Sequence, residues 1–86
     1  LNLPPMTEEN RKELVKIIGQ KAEHARIGVR TAREAVREQI MKDEKAKTIS
    51  EDERFSFLEQ LDKAVGLAND RVEKISKEKE QDVMSI

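Results

Sequence analysis

Apolar side chains recur through the first half of the chain at steps of three and four residues. That spacing places them on one face of an α-helix, and it predicts a helix from about Glu8 to about Lys45. Thr7 precedes the stripe as a candidate N-cap, and Glu8 and Glu9 put negative charge at the positive end of the helix dipole. The stripe consists of Leu14, Ile18, Ala22, Ala25, Val29, Ala32, Val36 and Ile40.

A second stripe with the same spacing predicts a second helix from Glu51 to about Asp82. Ser50 and Glu53 stand at its start as an S-x-x-E capping box, in which each side chain accepts a hydrogen bond from the other residue's backbone N–H. The regular alternation is compatible with coiled-coil-like packing. The stripe consists of Leu58, Leu61, Val65, Ala68, Val72 and Ile75.

Only a tight connection at Lys47–Ile49 separates the two predicted helices, so the chain is predicted to be all-α and to form an antiparallel two-helix hairpin. Two narrow stripes facing each other leave apolar residues uncovered on both helices. We therefore expect a third helix, outside this chain, to cover the hairpin. We also expect two hairpins to associate through the uncovered face. The uncovered residues are Val15, Ile17, Ile27, Ile40, Phe55, Phe57, Ala64 and Leu67.

Composition narrows the possible functions. Charged residues make up 41% of the chain and hydrophobic residues 36%, below the roughly 45–50% of ordinary globular domains. The net charge is −1, so nucleic-acid binding would depend on local segregation of charge. No apolar run approaches the ~20 residues of a membrane span and no signal peptide is evident, so no membrane partner is expected.

Residues suited to catalysis or metal binding are sparse. The chain has no cysteine, which fits a reducing compartment such as the cytoplasm, and its one histidine, His24, has no neighbouring Cys or Asp. No nucleophile–base pair and no glycine-rich phosphate loop occurs. We expect no enzyme activity, no metal, no cofactor and no small-molecule substrate.

A row of arginines is the most specific chemical feature. Each member follows a stripe residue by one position, so the row runs parallel to the stripe, about 100° around the helix. Like charges one turn apart cost roughly 0.2–0.5 kcal/mol per pair, and phosphates would relieve this repulsion through bidentate guanidinium contacts. The alternative is a solvent-exposed face of ion pairs, with Glu23, Glu34 and Glu38 within reach. The arginine row consists of Arg26, Arg30, Arg33 and Arg37.

The start of the chain is predicted to be extended rather than helical. Pro4 and Pro5 fix their own φ angles and push the preceding residues, Leu3 among them, out of the helical region. We interpret residues 1–6 as the end of an interdomain hinge and residues 7–86 as the helical hairpin.

Three segments of the chain resemble one known family. Residues 3–16, LPPMTEENRKELVK, resemble the entry into the second long helix of ribosome recycling factors, where the family reads L-P-P-x-T-E-E-x-R-K-x-L. Residues 22–30, AEHARIGVR, are similar to the family's A-E-x-A-R-V-A-V-R. Residues 47–53, KTISEDE, are similar to its K-x-I-S-E-D-E turn. The segments keep the family's order and spacing over nearly the whole chain.

The resemblance implies a fold and a function. The family's fold is an L-shaped molecule with a three-helix bundle and a small β/α/β domain. This chain would supply the second and third helices, with the rest preceding Leu1. After termination of translation, the family binds large-subunit ribosomal RNA and, with elongation factor G, splits the ribosome in the cytoplasm or in an organelle. A helical protein-interaction module unrelated to translation is the alternative.

The resemblance also assigns the RNA-binding residues. The family's arginines carry over to Arg26, Arg30 and Arg33. Where the family usually reads R-x-x-R-R-D-A-N, this chain has Glu34 in place of one arginine and adds Arg37. The predicted ribosomal RNA contacts are therefore the four members of the arginine row.

Overall fold

A computed structural model describes residues 7–85 as two long α-helices packed against each other in a hairpin. Helix α1 spans Glu8–Lys45 and helix α2 spans Glu51–Met84. The molecule measures 65 × 20 × 15 Å, and residues 7–85 contain no β-strand. The all-α hairpin is confirmed, and α2 runs two residues beyond the predicted end at Asp82. The predicted hinge at Leu3, Pro4 and Pro5 lies outside the described residues.

Side chains cap both helices at their first turns, as predicted. The Thr7 hydroxyl accepts a hydrogen bond from the backbone N–H of Asn10 at 3.1 Å. The Ser50 hydroxyl accepts from the Glu53 N–H at 3.1 Å, and the Glu53 carboxylate accepts from the Ser50 N–H at 3.0 Å. These bonds satisfy donors that have no partner within the helix, and they explain why both helices begin where they do.

The turn between the helices is a Schellman motif. The N–H of Lys47 donates to the carbonyl of Glu44 and the N–H of Thr48 donates to the carbonyl of Asp43, both at 2.9 Å. Lys47 has a φ of 62°, the left-handed conformation that this motif requires just past the helix end. Glycine usually occupies that position because it has no Cβ. The chain thus reverses direction with a lysine in a strained conformation.

An ion pair fastens the two helices beside this turn. Arg54, in the first turn of α2, pairs through its Nε with the carboxylate of Glu44, in the last turn of α1. Both side chains are largely buried, at 23% and 30% exposure. A second carboxylate, that of Glu51, lies 3.9 Å from Nη2 of Arg54. These contacts set which residues of the two helices face each other near the turn.

The face of α1 that meets α2 follows an 11-residue repeat. Apart from Leu14 and Asp43, which are each adjacent to a member of the repeat, the buried and half-buried positions succeed each other at steps of four, three and four, with Arg37 as the exposed exception. Such a repeat suits helices that run straight or wind in the right-handed sense, and not the 7-residue winding of a coiled coil. The positions are Arg11, Val15, Ile18, Ala22, Arg26, Val29, Arg33, Ile40 and Glu44.

This register corrects part of the predicted stripe. Ala25, Ala32 and Val36 of α1 and Ile75 of α2 were predicted to face the other helix, but all four are exposed. An 11-residue repeat and a 7-residue repeat diverge along a long helix. The predicted stripe therefore coincides with the face that meets α2 near Leu14 and turns away from that face farther along. Two of the four, Ala25 and Ile75, instead border a shallow groove on one side of the hairpin.

One side of the hairpin is therefore an uncovered apolar surface, which we call the apolar flank. Ile18, Ala25, Val72 and Ile75 line a groove there. Within residues 7–85, Ala22 is the one buried residue, at 7% exposure, so the two helices alone enclose very little apolar volume. The flank consists of Ile17, Ala25, Ala32, Val36, Phe57, Ala64 and Ile75.

Candidate nucleic-acid interface

The arginine row lies on the side of the hairpin opposite the apolar flank. Here the two helices form a second groove, with a volume of about 270 Å³, which we call the arginine groove. The row thus borders the contact between the helices, and residues of α2 line the same groove. The groove is lined by Arg26, Val29, Arg30 and Arg33 of α1 and by Val65 and Asn69 of α2.

Arg33 is held across the hairpin. Its Nη2 lies 3.3 Å from Oδ1 of Asp62 on α2, and its Nη1 lies 3.4 Å from Oε1 of Glu34. The side chain is only 38% exposed. Arginine is rarely buried without a partner, so the heads of Arg26, Arg30 and Arg33 were expected to project clear of the hairpin. This expectation is wrong for Arg33, which contacts α2. The 11-residue register turns position 33 toward α2, where Asp62 meets it.

Arg26 is held within its own helix. Its Nη1 lies 3.1 Å from Oε2 of Glu23, three residues earlier and therefore one turn away. Its side chain is also half-buried, at 41% exposure. The ion-paired alternative that the sequence left open is therefore correct for Arg26 and Arg33.

Arg30 and Arg37 differ from the other two members. Both are exposed, and among residues 7–85 neither makes an ion pair or a side-chain hydrogen bond. Glu38, which could have reached the row, lies 3.9 Å from Lys42 instead. The two guanidinium groups stand about 10.5 Å apart along the helix axis, since they are seven residues apart at about 1.5 Å each. They offer ten N–H donors to an external anion, five each.

The carboxylates that pair with members of the row compete only weakly with such an anion for the guanidinium groups. Each ion pair is open to water on at least one partner, with Glu34 58% and Asp62 65% exposed. Exposed ion pairs contribute about 0–1 kcal/mol, whereas a phosphate forms charge-assisted, bidentate bonds with arginine. Arg26 and Arg33 can therefore exchange partners when a polyanion approaches, while Arg30 and Arg37 need no exchange.

The described residues offer little support for other chemistry. No group of three or more His, Cys, Asp or Glu side chains in residues 7–85 is placed to hold a metal ion. His24 is exposed. In the same part of the chain, neither helix is long and apolar enough to cross a membrane.

The contribution of α2 to this interface was missed in the sequence. Asp62 and Asn69 each follow a stripe residue of α2, Leu61 and Ala68, by one position. This is the same offset that relates the arginines to their own stripe. In an antiparallel pair of helices, that shared offset brings both rows to one side of the contact. This offset could therefore have predicted from the sequence that Asp62 and Asn69 lie on the same side as the arginine row.

The fold and this interface define a long α-hairpin with a cationic row along one edge, and comparison with known proteins resolves the family. The family model described as "Ribosome recycling factor" matches residues 1–84. Ribosome-recycling factors of Brevibacillus brevis, Halothermothrix orenii and Synechocystis sp. are 42%, 37% and 36% identical over all 86 residues. No solved structure matches the chain.

The chain belongs to the ribosome recycling factor family. Its 86 residues cover 46% of the Brevibacillus and Halothermothrix proteins and 47% of the Synechocystis protein. The chain thus spans about half the length of the curated relatives that it matches.

Proposed function

We propose that this chain acts in ribosome recycling: it binds large-subunit ribosomal RNA after termination and, together with elongation factor G, takes part in separating the ribosomal subunits. Its action is one of binding and involves no covalent chemistry, and it takes place in the cytoplasm. Membership of the family and the names of the relatives support the process. The arginine row supports RNA as the partner.

The observation that carries the proposal is a pair of arginines, Arg30 and Arg37, that have no ion-pair partner among residues 7–85. The chain has a net charge of −1, so it is not drawn to RNA by overall charge. Arg30 and Arg37 nevertheless stand exposed on one edge, beside two further arginines whose ion pairs are weak. Phosphates that displace water and counterions along this edge would supply a salt-dependent binding free energy.

Cosedimentation with isolated large ribosomal subunits tests the proposal. Arg30→Ala and Arg37→Ala should each weaken binding at low salt, and each should lower the slope of log affinity against log salt by about one phosphate contact. Arg71→Ala is the matched control, because Arg71 is an exposed arginine of α2 that lies one turn from Ile75 on the other side of the hairpin. Equal binding by the wild type and both row variants would exclude the row as the RNA contact.

The apolar flank supports a second partner, another helix. The chain exposes 7307 Å², whereas a compact protein of its mass, 9.9 kDa, exposes about 5,200 Å². The excess exceeds the roughly 800 Å² that each partner buries in a standard interface. We propose that two copies of this chain cover each other's flanks in solution as an antiparallel four-helix arrangement.

A further inference from the structure

The arginine groove has the dimensions and the lining of a site for one planar ring system. Val29 of α1 and Val65 of α2 contribute apolar surface between the two helices. Its volume of about 270 Å³ lies just below the range of roughly 300–1,000 Å³ found for pockets that hold whole small molecules. A single flat group placed on the valines would fill much of the groove.

Four polar side chains line the groove. Two of them are held by ion pairs, and the other two are unengaged. Glu23 holds Arg26, and Asp62 holds Arg33. Arg30 has no partner among residues 7–85, and neither does the side-chain amide of Asn69, which is exposed. The held pair contributes half-buried guanidinium groups to the walls of the groove. The unengaged pair supplies the specific contacts.

Asn69 determines which ring system fits. Its amide presents a donor and an acceptor side by side, and this arrangement forms two hydrogen bonds with the edge of adenine. The held guanidinium of Arg26 offers a flat surface on which a base can stack. Asp62 places a carboxylate at the Arg33 end, so a phosphate is favoured at Arg30 instead.

We propose that the arginine groove binds one unpaired nucleotide of RNA, preferably adenosine, with its base on Val29 and Val65, its edge on Asn69 and its phosphate on Arg30. The inference rests on the proposed RNA-binding function and deepens it, because phosphate contacts alone do not distinguish paired from unpaired RNA. Recognition of an unstacked base is the usual way in which proteins obtain specificity for RNA.

Three RNA hairpins test this proposal: one fully paired, one with a single bulged adenosine and one with a single bulged uridine. The wild-type chain should bind the bulged-adenosine hairpin most tightly. Asn69→Ala should lower that affinity by roughly fivefold or more and leave the affinity for the paired hairpin unchanged. Arg30→Ala should weaken binding to all three RNAs. Gln20→Ala, which removes an exposed amide elsewhere on α1, should change none.

Thermal unfolding excludes loss of the fold as an explanation, since Ala is a better helix former than Asn and should leave the midpoint of the Asn69 variant equal or higher. If the paired and bulged hairpins bind equally, or if Asn69→Ala weakens all three alike, the nucleotide site is overturned while RNA binding stands. Equal binding of bulged uridine and bulged adenosine overturns the adenine contact. If the wild type binds none of the RNAs, the proposed function itself fails.

Discussion

Asp62 on α2 holds Arg33 on α1 across the hairpin, with 3.3 Å between Oδ1 and Nη2. The two residues are 29 positions apart in the chain, so the contact exists only because the helices pair in one register. It places a carboxylate within the arginine row and ties one of the four guanidinium groups to the protein. Asp62 therefore sets how much of the row is available to a polyanion.

Asp62→Asn should strengthen binding to large ribosomal subunits, because it frees Arg33 and removes a negative charge from the interface. The free energy of unfolding should fall by less than about 1 kcal/mol, the usual contribution of an exposed ion pair. Cosedimentation at several salt concentrations measures the effect, with a steeper salt dependence expected. Asp70→Asn, an exposed carboxylate outside the groove, is the control. Weaker binding by the Asp62 variant would mean that Arg33 binds RNA only when Asp62 positions it.

Ser50→Ala should lower the free energy of unfolding by about 1 kcal/mol, because it removes half of the capping box of α2. Ser56→Ala is the matched change inside the same helix, where the hydroxyl accepts a hydrogen bond from the exposed Gln60 side chain, and it should cost far less. Urea denaturation followed by circular dichroism compares the two. If both variants unfold at the wild-type midpoint, the capping bonds contribute nothing to stability.

Lys47→Gly should stabilise the hairpin by roughly 0.5–1 kcal/mol. Glycine removes a left-handed strain of about 1–2 kcal/mol at the φ of 62°, and this gain exceeds the added entropy of the unfolded chain, about 0.4–1 kcal/mol. Lys45→Gly, two residues earlier at the last residue of α1, should instead destabilise by up to about 1 kcal/mol. Thermal melts of both variants show whether the unfolding midpoint rises or falls in each. A lower midpoint for Lys47→Gly would contradict the Schellman geometry.

Ile75→Lys should convert self-associated chains into monomers, because it places a charge in the middle of the apolar flank. Ile27→Lys is a closely matched control: Ile27 is 49% exposed and Ile75 is 47% exposed. Ile27 lies on the outer side of α1, two residues past Ala25. Sedimentation equilibrium over a range of concentrations distinguishes them. A wild-type chain that stays monomeric at high concentration would rule out pairing through the flank.

Local interactions determined the elements of this fold, and the sequence alone was sufficient to predict them. Thr7 and the Ser50–Glu53 box begin the helices, and the apolar spacing marks their lengths. Each of these signals acts within about four residues along the chain, so no knowledge of the other helix is needed. The family resemblance, which rests on short ordered segments, was also evident from the sequence alone and is confirmed.

Only the tertiary structure decided which side of each helix meets the other. Small residues such as Ala25 and Ala32 gain little from burial, since each buried CH₂ contributes about 0.8 kcal/mol, so the stripe did not specify one register. Cross-hairpin contacts such as Arg54–Glu44 accompany the register that the structure adopts. That register holds Arg33 and brings Asn69 to the same groove. It leaves Arg30 and Arg37 without an ion-pair partner in the part of the chain that the structure describes. The roles of single arginines depend on distances between the two helices. The spacing of residues within one helix does not reveal those distances.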